Sequence, residues 1–166
     1  MITLNKILYP TDFSPAAEQA FDAAQRLARD SRSLLLIVHV AAPAQVPTPA
    51  GAVVPPHAMA NVAISEDTER TMEQVREELG KIVPDDGNIR FEHRLLAGVA
   101  GLEIPRLAEE EQADLIVMGT HGRTGLTRLL MGSVAEAVVR RAPCPVLTLR
   151  QSPADGDDQP GDSATG

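Results

Sequence analysis

The stretch from Asp114 to Ser133, DLIVMGTHGRTGLTRLLMGS, limits what this chain can become more than any other. Leu115-Ile116-Val117-Met118 is an unbroken apolar run of strand length, the pattern of a strand covered on both faces in a parallel sheet. The run stops at Gly119, and Gly122 and Gly125 follow at three-residue steps with Thr120, His121, Arg123 and Thr124 between them. Glycine lets a backbone approach a ligand closely or turn with positive φ, so this loop can direct its amides at an anion. Gly132-Ser133 then precedes Val134, Ala135, Val138 and Val139, an apolar set at helical spacing. Ser133 therefore stands at a helix start, where the amides have no intrahelical partner. Strand, glycine loop and helix start, in that order, predict a phosphate cradle.

The rest of the chain supplies a frame for that cradle. Leu4 to Tyr9 is a short apolar segment closed by Pro10, and Ser14-Pro15 reads as an N-cap followed by proline at the first helical position. Ala17, Ala20, Phe21, Ala24, Leu27 and Ala28 form a stripe, mostly of small residues, that lets this helix lie close to a sheet. Ser33 to Val40 is a second, almost continuously apolar strand. Ala41 to Ala60 is proline-rich without apolar period and reads as a long, mobile connection. A helix follows from about Val62 to Val83, with Thr68, Met72, Val75, Leu79 and Ile82 on one face and Glu66–Arg70 and Glu77–Lys81 at pairing distance along it.

Ile89, Phe91, His93 and Leu95 alternate with Arg90, Glu92 and Arg94, which predicts a strand at the sheet edge with His93 packed and hydrogen-bonded. Leu102, Ile104, Leu107 and Ala108 mark the next helix, and Pro105 fits it if the helix starts near Leu102. The helix from Ser133 is stopped by Pro143, and Pro145 to Leu149 is a last short strand. Alternating strands and helices predict an α/β fold with one doubly wound, Rossmann-like, five-stranded parallel sheet and helices on both faces. With the half-wet strand at one edge, the order 3-2-1-4-5 fits best. In that order the strand direction of travel reverses between strands one and four, where open α/β sheets bind ligands. Pro10-Thr11-Asp12 and the Gly119–Gly132 loop then face each other across one crevice, with His39-Val40 beside them.

Composition narrows the function. A net charge of −8 and 2% aromatic residues suit neither the positive field nor the stacking surface of a nucleic-acid binder. Asp155, Asp157, Asp158 and Asp162 lie in a tail, 151–166, that has nothing to bury and is expected to be disordered, leaving residues 1–150 as one nucleotide-binding domain. One cysteine, Cys144, cannot bridge internally and reads as a small buried residue of a reduced chain. No apolar run reaches membrane-spanning length, so a cytoplasmic protein with no membrane partner is expected.

Gly119, Gly122, Gly132 and Ser133 together fit GxxGx9G(S/T), and with LYPTDFS after the first strand and HV at the end of the second the chain resembles the ATP-binding universal stress proteins from Ile2 to Leu149. The resemblance implies that ATP is held by Pro10, Thr11, Asp12, Val40, Met118, Gly119, Gly122, Gly132, Ser133 and a backbone amide of Val134, with Mg²⁺ or Mn²⁺ on the phosphates. It also implies a homodimer through the last strand, Val146 to Leu149. Arg123 can add a charge-assisted phosphate contact. Asp12 suits a ribose hydroxyl, the adenine amino group or the divalent metal, because a carboxylate repels phosphate unless a cation intervenes. Gly98-Val99-Ala100-Gly101 departs from the family, which often has a proline there.

No catalytic residue is assigned. The chain lacks GxxxxGK(S/T), and Asp12 and His121 are the nearest groups able to act on water. An adenine-nucleotide-binding regulatory protein is the leading expectation. A slow ATP hydrolase or phosphotransferase and a nucleotide-free dimeric interaction protein remain as alternatives.

Overall fold

The computed structural model describes residues 3–42, 66–120 and 131–150, giving the backbone alone for 66–70. The long connection after Ala42, the loop residues 121–130 and the tail 151–166 lie outside the described residues, as do Thr68 and the Glu66–Arg70 pair as side chains. The elements run β1 (Lys6–Pro10), α1 (Pro15–Ser31), β2 (Leu34–Ala41), α2 (Glu66–Gly80), β3 (Phe91–Ala97), α3 (Ala100–Glu110), β4 (Leu115–Gly119), α4 (Ser133–Arg141) and β5 (Val146–Leu149). The five strands form one sheet in the order β3-β2-β1-β4-β5, and each described pairing is parallel.

Strand alternation divides the core between two faces. Leu8, Leu36, Val38, Ile116 and Met118 pack under α3 and α4, against Ile104, Leu107, Ala108, Ala135 and Val138. Ile7, Tyr9, Leu35, Ile37 and Val117 pack on the opposite face against Ala20, Ala24 and Ala28 of α1 and Leu79 of α2. β1, β2 and β4 therefore have to be apolar at successive positions. β3 sits at the edge and His93 Nε2 lies 2.8 Å from the Ile82 carbonyl as expected, but Phe91, expected on the covered face, is 37% exposed at the start of the strand.

Local chemistry explains the helix bounds. Ser14 has extended backbone and its hydroxyl accepts from the Ala17 amide at 3.3 Å, with Pro15 as the first helical residue. Helix α3 corrects the sequence-based expectation. It opens at Ala100, two residues early, because Gly98 turns the chain at φ 146° and Val99 takes the N-cap position without a side-chain cap. Pro105 consequently lies past the first turn and cannot donate to the Gly101 carbonyl. Leu102, expected in the buried stripe, is 50% exposed, and Gly101 takes its place facing the interior. Among the described side chains of α2 an ion pair joins Arg76 to Glu73 at 2.8 Å, and the expected Glu77–Lys81 pair does not form. Cys144 is only partly buried, against the α3/α4 side of the core.

The end of the sheet opposite the ligand side is tied by charge. Asp114 Oδ2 accepts from the amides of Asn5 and Lys6 at 2.7 and 3.0 Å, joining the start of β1 to the start of β4. Lys6 Nζ reaches Glu111 at 2.7 Å, and Arg94 approaches the same carboxylate at 3.6 Å. These contacts hold the Glu111 carboxyl below its usual range, the Lys6 hydrogen bond contributing most.

Candidate functional site

The carboxyl ends of β1, β2 and β4 open onto one cavity of about 350 Å³. It lies where β1 separates β2 from β4, the reversal point of the sheet. Its wall takes Pro10, Thr11 and Asp12 from the β1–α1 connection, His39 and Val40 from β2, and Met118, Gly119 and Thr120 from the end of β4. Gly132, Ser133, Val134 and Ala135 from the start of α4 complete it, with Ala17, Ala100 and Ile104 as apolar backing.

The α4 side is built to donate. Gly132 is the N-cap, with extended backbone and no side chain to satisfy the helix amides, and the first intrahelical bond runs from Glu136 N to Gly132 O at 2.9 Å. The amides of Ser133, Val134 and Ala135 precede that bond, so they have no partner within the helix, and all three residues border the cavity. The Gly132 amide itself donates to the Thr120 carbonyl at 2.7 Å, and the Thr120 amide to Leu149 O at 2.8 Å. This fixes the helix start against the end of β4. The helix pole adds roughly 0.3–1 kcal/mol for an anion placed there, so hydrogen bonds must supply most of any affinity.

The β1 side is held by short-range bonds. Thr11 is 6% exposed; its amide donates to Val38 O at 2.8 Å and its hydroxyl accepts from Phe13 N at 3.0 Å. Asp12 Oδ1 accepts from Ser14 N at 3.1 Å, an Asx turn that leads directly into α1. Phe13 sits between these two bonds with φ at 62°, a left-handed conformation that costs a non-glycine residue about 1 kcal/mol or more. Just before this connection, Tyr9 donates to Ala17 O at 2.8 Å, and burial pushes its phenol up to about 12.

Nine of the residues singled out in the sequence, Pro10, Thr11, Asp12, Val40, Met118, Gly119, Gly132, Ser133 and Val134, border this one cavity. Gly122, Arg123 and His121 lie outside the described residues. His39, expected beside the crevice but given no role there, borders the cavity, as do Thr120, Ala17, Ala100, Ile104 and Ala135, which were not expected as site residues. The departure at Gly98–Gly101 brings Ala100 to the wall and leaves Val99 59% exposed. Gly119 has a reason to be glycine that involves no ligand: a β-carbon there would stand 2.9 Å from the Ala16 carbonyl oxygen. Among the described residues no three His, Cys, Asp or Glu side chains gather as a metal site. No described helix is long and apolar enough to cross a membrane.

Comparison with known proteins agrees with this architecture. Residues 3–150 match the model of the Universal stress protein family. Universal stress protein MJ0531 of Methanocaldococcus jannaschii is 43% identical over 86 residues, a match spanning 51% of each chain. Universal stress protein MJ0577 of the same organism is 28% identical over 162 residues, covering 90% of this chain and 97% of the relative. The solved structure of MJ0577 superposes with a TM-score of 0.68 at 27% identity, covering 91% of this chain and 99% of that one. A universal stress protein solved in complex with cAMP superposes with a TM-score of 0.54 at 25% identity, covering 89% and 97%. With the family pattern spanning nearly all of the described sheet and helices, the chain belongs to the universal stress protein family.

Proposed function

We propose that this chain is an ATP-binding regulatory protein of the stress response, which holds its nucleotide between the β1–α1 connection and the start of α4. The observation that carries the reading is the convergence of uncapped α4 amides and the Asp12 carboxylate on a single cavity of about 350 Å³, within the usual range for small-molecule sites. The two features suit opposite ends of one molecule. Amides of Ser133 and Val134, with the Ser133 hydroxyl, donate to phosphate oxygens; Gly122 and Arg123 are assigned to the same end. Asp12 accepts from a ribose hydroxyl or the adenine amino group, while Val40, Met118 and Ile104 offer an apolar wall to the base. A cAMP complex in a related structure supports the adenine-nucleotide class.

Mg²⁺ or Mn²⁺, carried in by the phosphates, would offset their charge and draw on Asp12. Bound nucleotide then bridges two connections that are far apart in sequence, and this bridging is what couples ligand to partner binding in the proposal. The β5 edge is the proposed dimer contact. Among the described residues it is paired on one side only, and Leu147 within it is 40% exposed.

Native mass spectrometry of the purified chain tests both parts. A mass increment matching ATP, present in the wild type and absent from a Gly132→Val variant that still melts cooperatively, is expected. Gly132 has φ at −62°, which any residue can adopt, so valine crowds the phosphate end without forcing the backbone. A Leu147→Glu variant is expected to run as a monomer. Nucleotide retained in Gly132→Val would remove the cradle from the account.

A further inference from the structure

His39 makes two attachments to the β1–α1 connection, although it lies at the end of a different strand. Its Nδ1 is 2.8 Å from the Thr11 carbonyl oxygen, which can only accept, so the ring carries its proton on Nδ1. Its ring also stacks on Phe13, with centroids 4.5 Å apart and planes inclined by 28°. Thr11 and Phe13 flank Asp12 on either side, so both neighbours of that carboxylate are gripped by one imidazole. The grip matters because Phe13 is held at φ 62°, a conformation that relaxes unless neighbouring contacts enforce it. The Thr11 carbonyl belongs to a residue that is only 6% exposed, and the Thr11 amide is held separately by the Val38 carbonyl at 2.8 Å.

We infer that His39 is the positioning residue of the site: it fixes the turn that presents Asp12 to the ligand and so sets affinity at the nucleoside end of the cavity. The inference rests on the nucleotide reading above and adds to it a residue which that reading does not use. It accounts for a histidine within an otherwise apolar strand, since no aliphatic side chain can both donate to a carbonyl and stack on a ring.

The test separates donor, ring and carboxylate. His39→Phe keeps a ring against Phe13 and removes the donor. His39→Asn removes the ring and keeps a donor close to the Nδ1 position. Each is measured alone and with Asp12→Asn by calorimetric titration with ATP, after a cooperative melt shows that it folds. His39→Phe is expected to weaken ATP about tenfold, the size of effect expected when a buried carbonyl loses its partner, and His39→Asn to recover most of that loss. In the Asp12→Asn background His39→Phe is expected to change little, because the group it positions is already altered. Penalties that multiply independently, or a His39→Phe variant that binds like the wild type, would overturn the inference. Amide NMR shifts provide a readout without ligand: those of Thr11 to Ser14 should move in His39→Phe and far less in His39→Asn, and an unmoved turn would also overturn it. A wild type that binds no ATP while the turn still moves would count against the nucleotide reading and, with it, the affinity role of His39.

Discussion

Replacing Gly119 with alanine should destabilise the chain for a reason that lies in the backbone. A β-carbon at 119 would meet the Ala16 carbonyl oxygen at 2.9 Å, its carbonyl carbon at 3.0 Å and the Ala16 methyl at 3.2 Å. Carbon and oxygen in close contact ordinarily stand about 3.3–3.6 Å apart, so the shortest approach is about half an ångström too near. Two of the three atoms are backbone of the first turn of α1, which is locked by the Ser14 cap and cannot rotate away as a side chain would. Overpacking of this kind costs about 1–3 kcal/mol, and removing a glycine from a strand returns about 0.5–1, leaving a net loss of up to about 2.5 kcal/mol. For a chain of this size that lowers the thermal midpoint by up to about 10 °C. Differential scanning calorimetry of Gly119→Ala and of Gly119→Ala with Ala16→Gly is the assay. The second change removes only the methyl, so it should not restore the midpoint. A Gly119→Ala protein that melts at or above the wild type, or a full rescue by Ala16→Gly, would refute the close approach of α1 to β4.

Gly101 offers the opposite case: its β-carbon would stand 2.7 Å from the Ala137 methyl and meets nothing else, so Gly101→Ala should destabilise and Ala137→Gly should rescue it in the same melting assay. The acid limb of stability should depend on Lys6. Because Glu111 is held below its usual range in the folded chain, the unfolded chain binds more protons as pH falls past the ordinary glutamate value of about 4.3. The stabilisation is present above that pH and is lost as pH falls through the lower folded value; urea titrations of Lys6→Met should lose most of this component, Arg94 keeping the rest. Tyr9 makes the alkaline counterpart, and as the chain's one tyrosine it can be followed by tyrosinate absorbance alone. Burial raises the folded phenol to about 12, so its contribution is complete below the unfolded value of about 10 and is lost as pH rises toward 12. Ionisation near pH 10 in a chain that remains folded would contradict its burial.

Much of the fold was readable because single residues carried unambiguous local physics. Ser14-Pro15 marks the start of α1 by capping, and the alternation through Phe91 and His93 marks an edge strand, which in turn implies the order 3-2-1-4-5. The convergence of Asp12, Val40 and Gly132 on one crevice followed from that order. What escaped depends on contacts between distant segments. Periodicity put Leu102 inside, but Gly98 and Val99 start α3 early and rotate Leu102 outward, with Gly101 against Ala137. The Lys6–Glu111–Arg94 cluster joins three elements that no local pattern links. His39 was expected beside the crevice without a part in it, because its hold on the turn arises only when β1 brings Thr11 and Phe13 beside it. Gly119 was legible as a ligand-side glycine, whereas its contact with Ala16 needed α1 in place.

The central claim is that one adenine nucleotide sits between Asp12 and the start of α4. Isothermal titration of ATP into nucleotide-stripped protein with Mg²⁺ present tests it most directly, with Gly132→Val titrated alongside. Saturable heat at one ATP per chain is expected in the wild type and none in the variant, both proteins folding alike. Absence of binding by the folded wild type at millimolar ATP would contradict it.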